Sequence, residues 1–150
     1  LCHGNICRSP MGEFVLKDMV EKAGRGEEFE IASRAVSREE IGNPVYPPAR
    51  RELAKHGISC EGKRAVQLCR EDYDNYDLFV GMDSANIRNM QRIADGDPED
   101  KIYKLLSFAT ASNGQVGRAE DVADPWYTGD FAETWNDVLE GCQNILEEFK

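Results

Sequence analysis

Apolar residues recur along this chain at two alternating spacings, every third or fourth position in some stretches and consecutively or every second position in others, which predicts helices and strands in turn. Met11, Phe14, Val15, Met19 and Val20 form one helical stripe over 11–23 that stops at Gly24, a natural C-terminal cap. Residues 29–33 (Phe-Glu-Ile-Ala-Ser) alternate as a short strand does. Pro44, Pro47 and Pro48 interrupt the chain before a helix predicted over 48–56 and capped by Gly57. The apolar run at 77–82 reads as a buried parallel strand. Asp83 or Ser84 then caps a helix carrying Ile87, Met90, Ile93 and Ala94. A further strand is predicted over 102–106, followed by a polar, Gly- and Asp-rich stretch over 107–129, long enough to suggest a functional loop. The last helix is the clearest, with Phe131, Trp135, Val138, Leu139, Cys142, Ile145, Leu146 and Phe149 on one stripe. Strands alternating with helices predict an α/β fold whose parallel sheet is covered on both faces.

The opening residues Leu1-Cys2-His3-Gly4-Asn5-Ile6-Cys7-Arg8-Ser9-Pro10 fit none of these periodic patterns and carry the candidate chemistry. A cysteine and an arginine separated by five residues can curl into a ring whose backbone N–H groups point at one tetrahedral anion. Ser9-Pro10 is a favourable helix start, so a helix N-terminus also faces the ring. That field favours Cys2 as a thiolate nucleophile, and Arg8 supplies a planar fork for two phosphoryl oxygens. A buried structural cysteine beside a surface arginine is the bland alternative for the bare spacing.

The longer string Cys2-x-Gly4-Asn5-Ile6-Cys7-Arg8-Ser9-Pro10 resembles the signature of the low-molecular-weight protein tyrosine phosphatases. Asp124-Pro125-Trp126-Tyr127 is similar to the Asp-Pro-aromatic-aromatic motif of that family. The resemblance runs over essentially the whole chain and implies hydrolysis of phosphotyrosine and aryl phosphates through a cysteinyl-phosphate intermediate. It assigns Cys2, Arg8 and Asp124 to catalysis. It assigns His3, Gly4, Asn5, Ile6, Cys7 and Ser9 to binding phosphate and supporting the loop, and Trp126 and Tyr127 to the substrate wall. It also implies a single domain over 1–150, a three-layer fold around a four-stranded parallel sheet of order 2-1-3-4. Only Leu1 precedes Cys2, so the first strand is expected to be largely missing. Three departures stand out: Trp126 stands where the family often has tyrosine, which preserves the slot, Lys63 and Val66 occupy positions where many members have histidine and arginine buttressing the loop asparagine, and the rim segment around Ser37-Arg38-Glu39-Glu40 lacks an aromatic.

Composition narrows the alternatives. The chain has 150 residues, 41% of them apolar, which suits one core. A net charge of -10 argues against a nucleic-acid partner, because a phosphate backbone demands a basic face. No apolar run is long enough for a membrane span and no leader is evident, so a cytoplasmic location is expected. The cysteines Cys2, Cys7, Cys60, Cys69 and Cys142 show neither a disulfide framework nor zinc-site spacing, and no metal or cofactor is required if the loop itself neutralises the phosphoryl charge. Cys2 and Cys7 lie in one curl and could form a disulfide under oxidation. Arsenate reduction remains an alternative, with Cys60 and Cys69 as the relay pair. A catalytically dead phosphate-binding module is another. The expected ligands are a phosphotyrosine protein and phosphate or a similar oxyanion. Ile6 favours a phenyl ring over a polar guanidinium, and hence phosphotyrosine over phosphoarginine.

Overall fold

The structure, a computed structural model, describes residues 1–108 and 121–149. Helix α1 spans Arg8–Lys22, and its N-cap is Cys7 rather than the expected Ser9. The loop turns directly into the helix, with Met11 N–H on Cys7 O at 3.2 Å, so the first helical amides emerge inside the loop and the Ser9 hydroxyl is free for other partners. At the far end Gly24 takes φ +70°, a conformation that favours glycine, and Arg25 N–H closes the turn on Val20 O at 2.8 Å. A single turn of 3-10 helix follows at Gly26–Glu28.

Helix α2 is Pro47–Lys55, ending at Gly57 with φ +75°, one residue from the predicted bounds. The short helix α3, Asp72–Asn75, leads into strand β1, Phe79–Gly81, within the predicted apolar run. Helix α4, Ser84–Ala94, selects Asp83 as its cap. Asp83 Oδ1 accepts Asn86 N–H at 2.8 Å, and Asn86 Oδ1 accepts Asp83 N–H at 3.1 Å, a complete capping box. Strand β2, Ile102–Lys104, is shorter than predicted because Leu105–Phe108 winds into a 3-10 turn. Within the stretch expected as loop, residues 109–120 lie outside the described residues, and Pro125–Thr128 forms the short helix α5. Helix α6, Phe131–Glu148, follows the predicted stripe, and Asp130 caps it by accepting Glu133 N–H at 2.9 Å.

β1 and β2 pair in parallel, with Phe79 opposite Ile102. Leu1 and Cys2 lie beside them: Leu1 N bonds Val80 O at 2.6 Å, and Met82 N–H bonds Leu1 O at 3.2 Å. On the other side Cys2 bridges Ala35 in parallel, and Ala35 bridges Gln67. Residues 29–33, expected as a strand, belong to no ladder among the described residues. They border a cavity of about 480 Å³ whose lining also includes Leu78, Phe79 and Val80. Apolar side chains cover both faces. Met11, Val15, Leu53, Met82, Val138 and Ile145 pack on one face with α1, α2 and α6, while Val36, Tyr73, Phe79 and Met90 pack on the other with α3 and α4.

α6 packs against the 3-10 turn that follows β2, and at Gly141 a Cβ would fall inside contact distance of Leu105 Cγ. Cγ and both Cδ atoms of Leu105 lie within 3.0 Å of that position and the residue is only 2% exposed, so its side chain would have to shift inside the core. Gly141→Ala is therefore expected to destabilise the fold by about 1–3 kcal/mol, the usual cost of overpacking, despite the higher helix propensity of alanine. Chemical denaturation tests this, and an unchanged or raised midpoint would mean that α6 can shift away from Leu105.

Candidate active site

The loop begins where Leu1–Cys2 leaves the sheet, at the carboxyl ends of the parallel strands. In parallel α/β sheets ligands collect at this edge. Asn5 takes φ +59°, left-handed for a non-glycine residue, and its N–H turns inward to Cys2 Sγ at 3.3 Å. The Ser9 hydroxyl lies 3.1 Å from the same sulfur. Gly4 sits where a Cβ would come within 3.1 Å of Glu40 Cγ, so the rim segment folds closely over the loop at this point.

The Asn5 amide holds the curl. Its Oδ1 accepts Val66 N–H at 3.1 Å, and its Nδ2 donates to Ser9 Oγ at 2.8 Å and Ser33 Oγ at 2.9 Å. Ser33 donates in turn to Glu13 Oε1 at 2.6 Å, and Glu13 is also held by Lys63 at 3.1 Å and Lys17 at 2.6 Å. An ionised carboxylate only accepts hydrogen bonds, so it sets the direction of the chain. Ser33 must donate to it, both Asn5 amide protons must go to the serines, and the Ser9 proton remains available to Cys2. Burial raises the pKa of the Glu13 carboxyl. Hydrogen bonds from Lys17 and Ser33 and the charge of Lys63 outweigh this, holding it below the usual range. Lys63 also bonds Ser33 O at 3.1 Å, and Val66 contributes through its backbone, so the two unusual residues do support the loop.

Arg8 is 2% exposed and wedged between carboxylates. Its Nη1 donates to Asp83 Oδ2 and Val122 O, both at 2.8 Å, and its Nη2 lies 3.4 Å from Asp124 Oδ2. With Nη1 occupied, the remaining donors lie along the Nε–Nη2 edge, a side-on fork able to grip two oxygens. Asp124 is the N-cap of α5, accepting Trp126 N–H at 3.0 Å through its other oxygen.

The predicted site residues thus meet from opposite ends of the chain, with some differences in role. The His3 ring faces outward, 2.8 Å from Glu39, and only its backbone joins the loop. Ile6 is 9% exposed and packs with Cys7, Ala65 and Tyr46. Burial, together with Cys2 and Asp124 nearby, pushes the Cys7 thiol up to about 12, so it stays protonated. Trp126 and Tyr127 are 52% and 84% exposed, on the rim rather than in the core, and Trp126 lies 4.8 Å from the Tyr46 ring. Asp121, the nearest rival to Asp124, is turned onto Ser84 and Lys104. Burial raises its pKa, but Lys104 and Ser84 more than offset this and hold it down. Burial raises the pKa of both Cys60 and Cys69, and among the described residues no hydrogen bond joins either to the loop.

Sequence reading missed Asp83 as the anchor of Arg8 and Glu13 as the end of the Asn5 relay. Both had a signal. Asp83 ends the apolar run of β1, and Ser9, Glu13 and Lys17 repeat every four residues down one side of α1.

Donors converge on a buried cysteine at the carboxyl edge of a parallel sheet, with an arginine and a second carboxylate beside it, an arrangement able to hold a tetrahedral oxyanion. The family model for low molecular weight phosphotyrosine protein phosphatase matches residues 1–150. The Bacillus subtilis low molecular weight protein-tyrosine-phosphatase YfkJ is 34% identical over 97% of this chain and 90% of its own. The Staphylococcus aureus enzyme PtpA is 30% identical over 98% of this chain and 89% of its own. Among solved structures, Bacillus subtilis YfkJ superposes with a TM-score of 0.89 at 32% identity, covering 99% of this chain and 90% of the other. SP-PTP from Streptococcus pyogenes gives 0.85 at 36%, covering 99% and 89%. This chain belongs to the low molecular weight protein-tyrosine phosphatase family.

Glu13→Gln keeps the shape of the relay but removes its charge. A carboxyl held below its ordinary value of 4.5 contributes stability that is complete above that value and is lost as pH falls through the lowered one. The difference in unfolding free energy between wild type and Glu13→Gln is therefore expected to be largest near neutrality and to shrink towards acid. A difference that stays constant from pH 7 down to pH 3 would show that the charge on Glu13 is not what holds the network.

Proposed function

We propose that the protein hydrolyses phosphotyrosine in protein substrates by two successive transfers through Cys2. The Cys2 thiolate attacks phosphorus as the bond from phosphorus to the phenolic oxygen breaks, and Asp124 gives its proton to that oxygen. Asp124, now a carboxylate, takes a proton from water while the water oxygen attacks phosphorus. The sulfur–phosphorus bond breaks, inorganic phosphate leaves and the thiolate is restored. Loop amides and the free edge of Arg8 balance the charge on the equatorial oxygens, the task a metal performs in other phosphatases. The observation that carries this reading is the pair of donors on Cys2 Sγ, Asn5 N–H at 3.3 Å and Ser9 Oγ at 3.1 Å, facing an Arg8 held beside Asp124. Both donors stabilise negative charge on sulfur, and Ser9 can follow the sulfur as charge leaves and returns.

Trp126, Tyr127 and Ile6 supply the apolar surface for a flat ring, which favours an aryl over a guanidinium phosphate. The protein acts as one domain over 1–150, with a phosphotyrosine protein as partner and the cytoplasm as its location. Supporting the location, no helix among the described residues is long and apolar enough to cross a membrane. The strand order 2-1-3-4 follows if residues 34–35, Leu1–Cys2, β1 and β2 are counted as neighbours.

Two variants test the mechanism. Cys2→Ser is expected to abolish turnover of para-nitrophenyl phosphate while vanadate binding, followed by quenching of tryptophan fluorescence, persists; substantial remaining turnover would remove Cys2 from the chemistry. Asp124→Ala is expected to lower kcat by ~10²–10⁴ for aryl phosphates with poor leaving groups and much less for para-nitrophenyl phosphate. An equal loss across leaving groups would assign Asp124 a structural role only.

A further inference from the structure

Beside the loop lies a second, smaller cavity of about 250 Å³ that the two-step mechanism does not use. It touches the active site on two sides, through Ile6 of the loop and Trp126 of the rim, and continues along Tyr46 and Pro47 to Arg50. Its apolar walls are rigid. Tyr46 N–H is fixed to Ile6 O at 2.9 Å, the Tyr46 ring lies tilted against Trp126, and Pro47 begins α2. Arg50 stands one turn into α2, its backbone N–H on Tyr46 O at 3.0 Å. Among the described residues nothing pairs with its exposed guanidinium. Glu40, which also borders the cavity, turns its carboxylate onto Asn43 Nδ2 at 2.6 Å and lays its stem over Gly4.

We infer that this cavity is a subsite for an acidic side chain next to the phosphotyrosine of the substrate, its methylenes against Ile6, Tyr46 and Trp126 and its carboxylate on Arg50. This inference rests on the phosphotyrosine reading of the main site. The volume holds one side chain with a few waters, each needing about 30 Å³. The neighbouring rim bears Glu39 and Glu40, and the whole chain is -10, so its general field discourages acidic peptides. Arg50 is a local exception, lining the same cavity that Ile6 and Trp126 join to the active site. Its charge therefore selects a position in the substrate sequence rather than acidic substrates at large.

The experiment measures kcat/KM on phosphotyrosine peptides in which Ala, Glu, Lys or Phe replaces one flanking residue at a time, within two residues on either side. Each value is divided by that of the all-alanine peptide for the same enzyme, so effects on the common machinery cancel. The wild type is expected to favour Glu at one position by roughly threefold, as for a partly exposed ion pair. Arg50→Ala is expected to abolish this preference, Arg50→Lys to keep part of it, and Arg50→Glu to reverse it in favour of Lys. A preference for Phe that is indifferent to Arg50 would make the cavity an apolar slot and overturn the acidic assignment. A flat peptide profile with normal turnover of para-nitrophenyl phosphate would overturn the subsite alone. If the wild type turns over neither peptides nor para-nitrophenyl phosphate, the phosphatase reading fails and the subsite with it.

Discussion

The active loop depends on one buried amide. Asn5 is 1% exposed and left-handed, a backbone state that costs an ordinary residue about 1–2 kcal/mol. Its side chain offsets that cost by joining Val66, Ser9 and Ser33, three separate pieces of chain, around one point. Only with Asn5 in this conformation does its N–H face the sulfur of Cys2. Helix α1, the segment after α2 and the extended stretch before Ala35 are all needed to hold one residue in an unfavourable conformation, and the anion site is the result.

Electrostatics explains why so acidic a protein can build a site for an anion. Arg8 is buried with a carboxylate on each side, and those partners fix its plane while leaving one edge open. Two carboxylates so close would repel a phosphate if they faced it directly. Asp83 does not, because its oxygens are turned to Arg8 and to the start of α4. The cation thus separates the negative charges of the protein from those of the ligand. On the opposite side Lys63, with a side chain only 10% exposed, does the same for Glu13.

Much of this was legible before any coordinates, and the differences have physical causes. The helices followed from long periodic stripes, and α6 was the clearest because Trp135, Val138, Cys142 and Ile145 all face the core. Strands were harder: β1 and β2 are three residues each, too short for a period to register, and residues 29–33 alternate without joining a ladder among the described residues. Ser9 carried two compatible signals, helix cap and site residue, and in the structure Cys7 is the cap while the Ser9 hydroxyl lies 3.1 Å from Cys2 Sγ. Cys2, Arg8 and Asp124, the residues proposed to react, stood out because they sit in dense motifs. Their supports did not, because Glu13, Ser33 and Asp83 come from three elements and meet only in the fold. A charged residue on a helix reads as solvent-facing until its burial is known, as with Glu13 at 7% exposure.

Asp83 also carries a consequence for the alphabet available at its position. One of its oxygens accepts the Asn86 amide that starts α4, and the other takes Arg8 at 2.8 Å. Serine satisfies the helix but is too short and uncharged for the arginine. Asparagine has one side-chain oxygen, so with the helix capped it turns a repelling amide NH2 toward the arginine. Glutamate keeps the charge but is one methylene too long for the turn. Of the twenty residues, aspartate alone meets both demands, so a single letter encodes both where α4 begins and where the guanidinium points, and drift at one cannot occur without drift at the other.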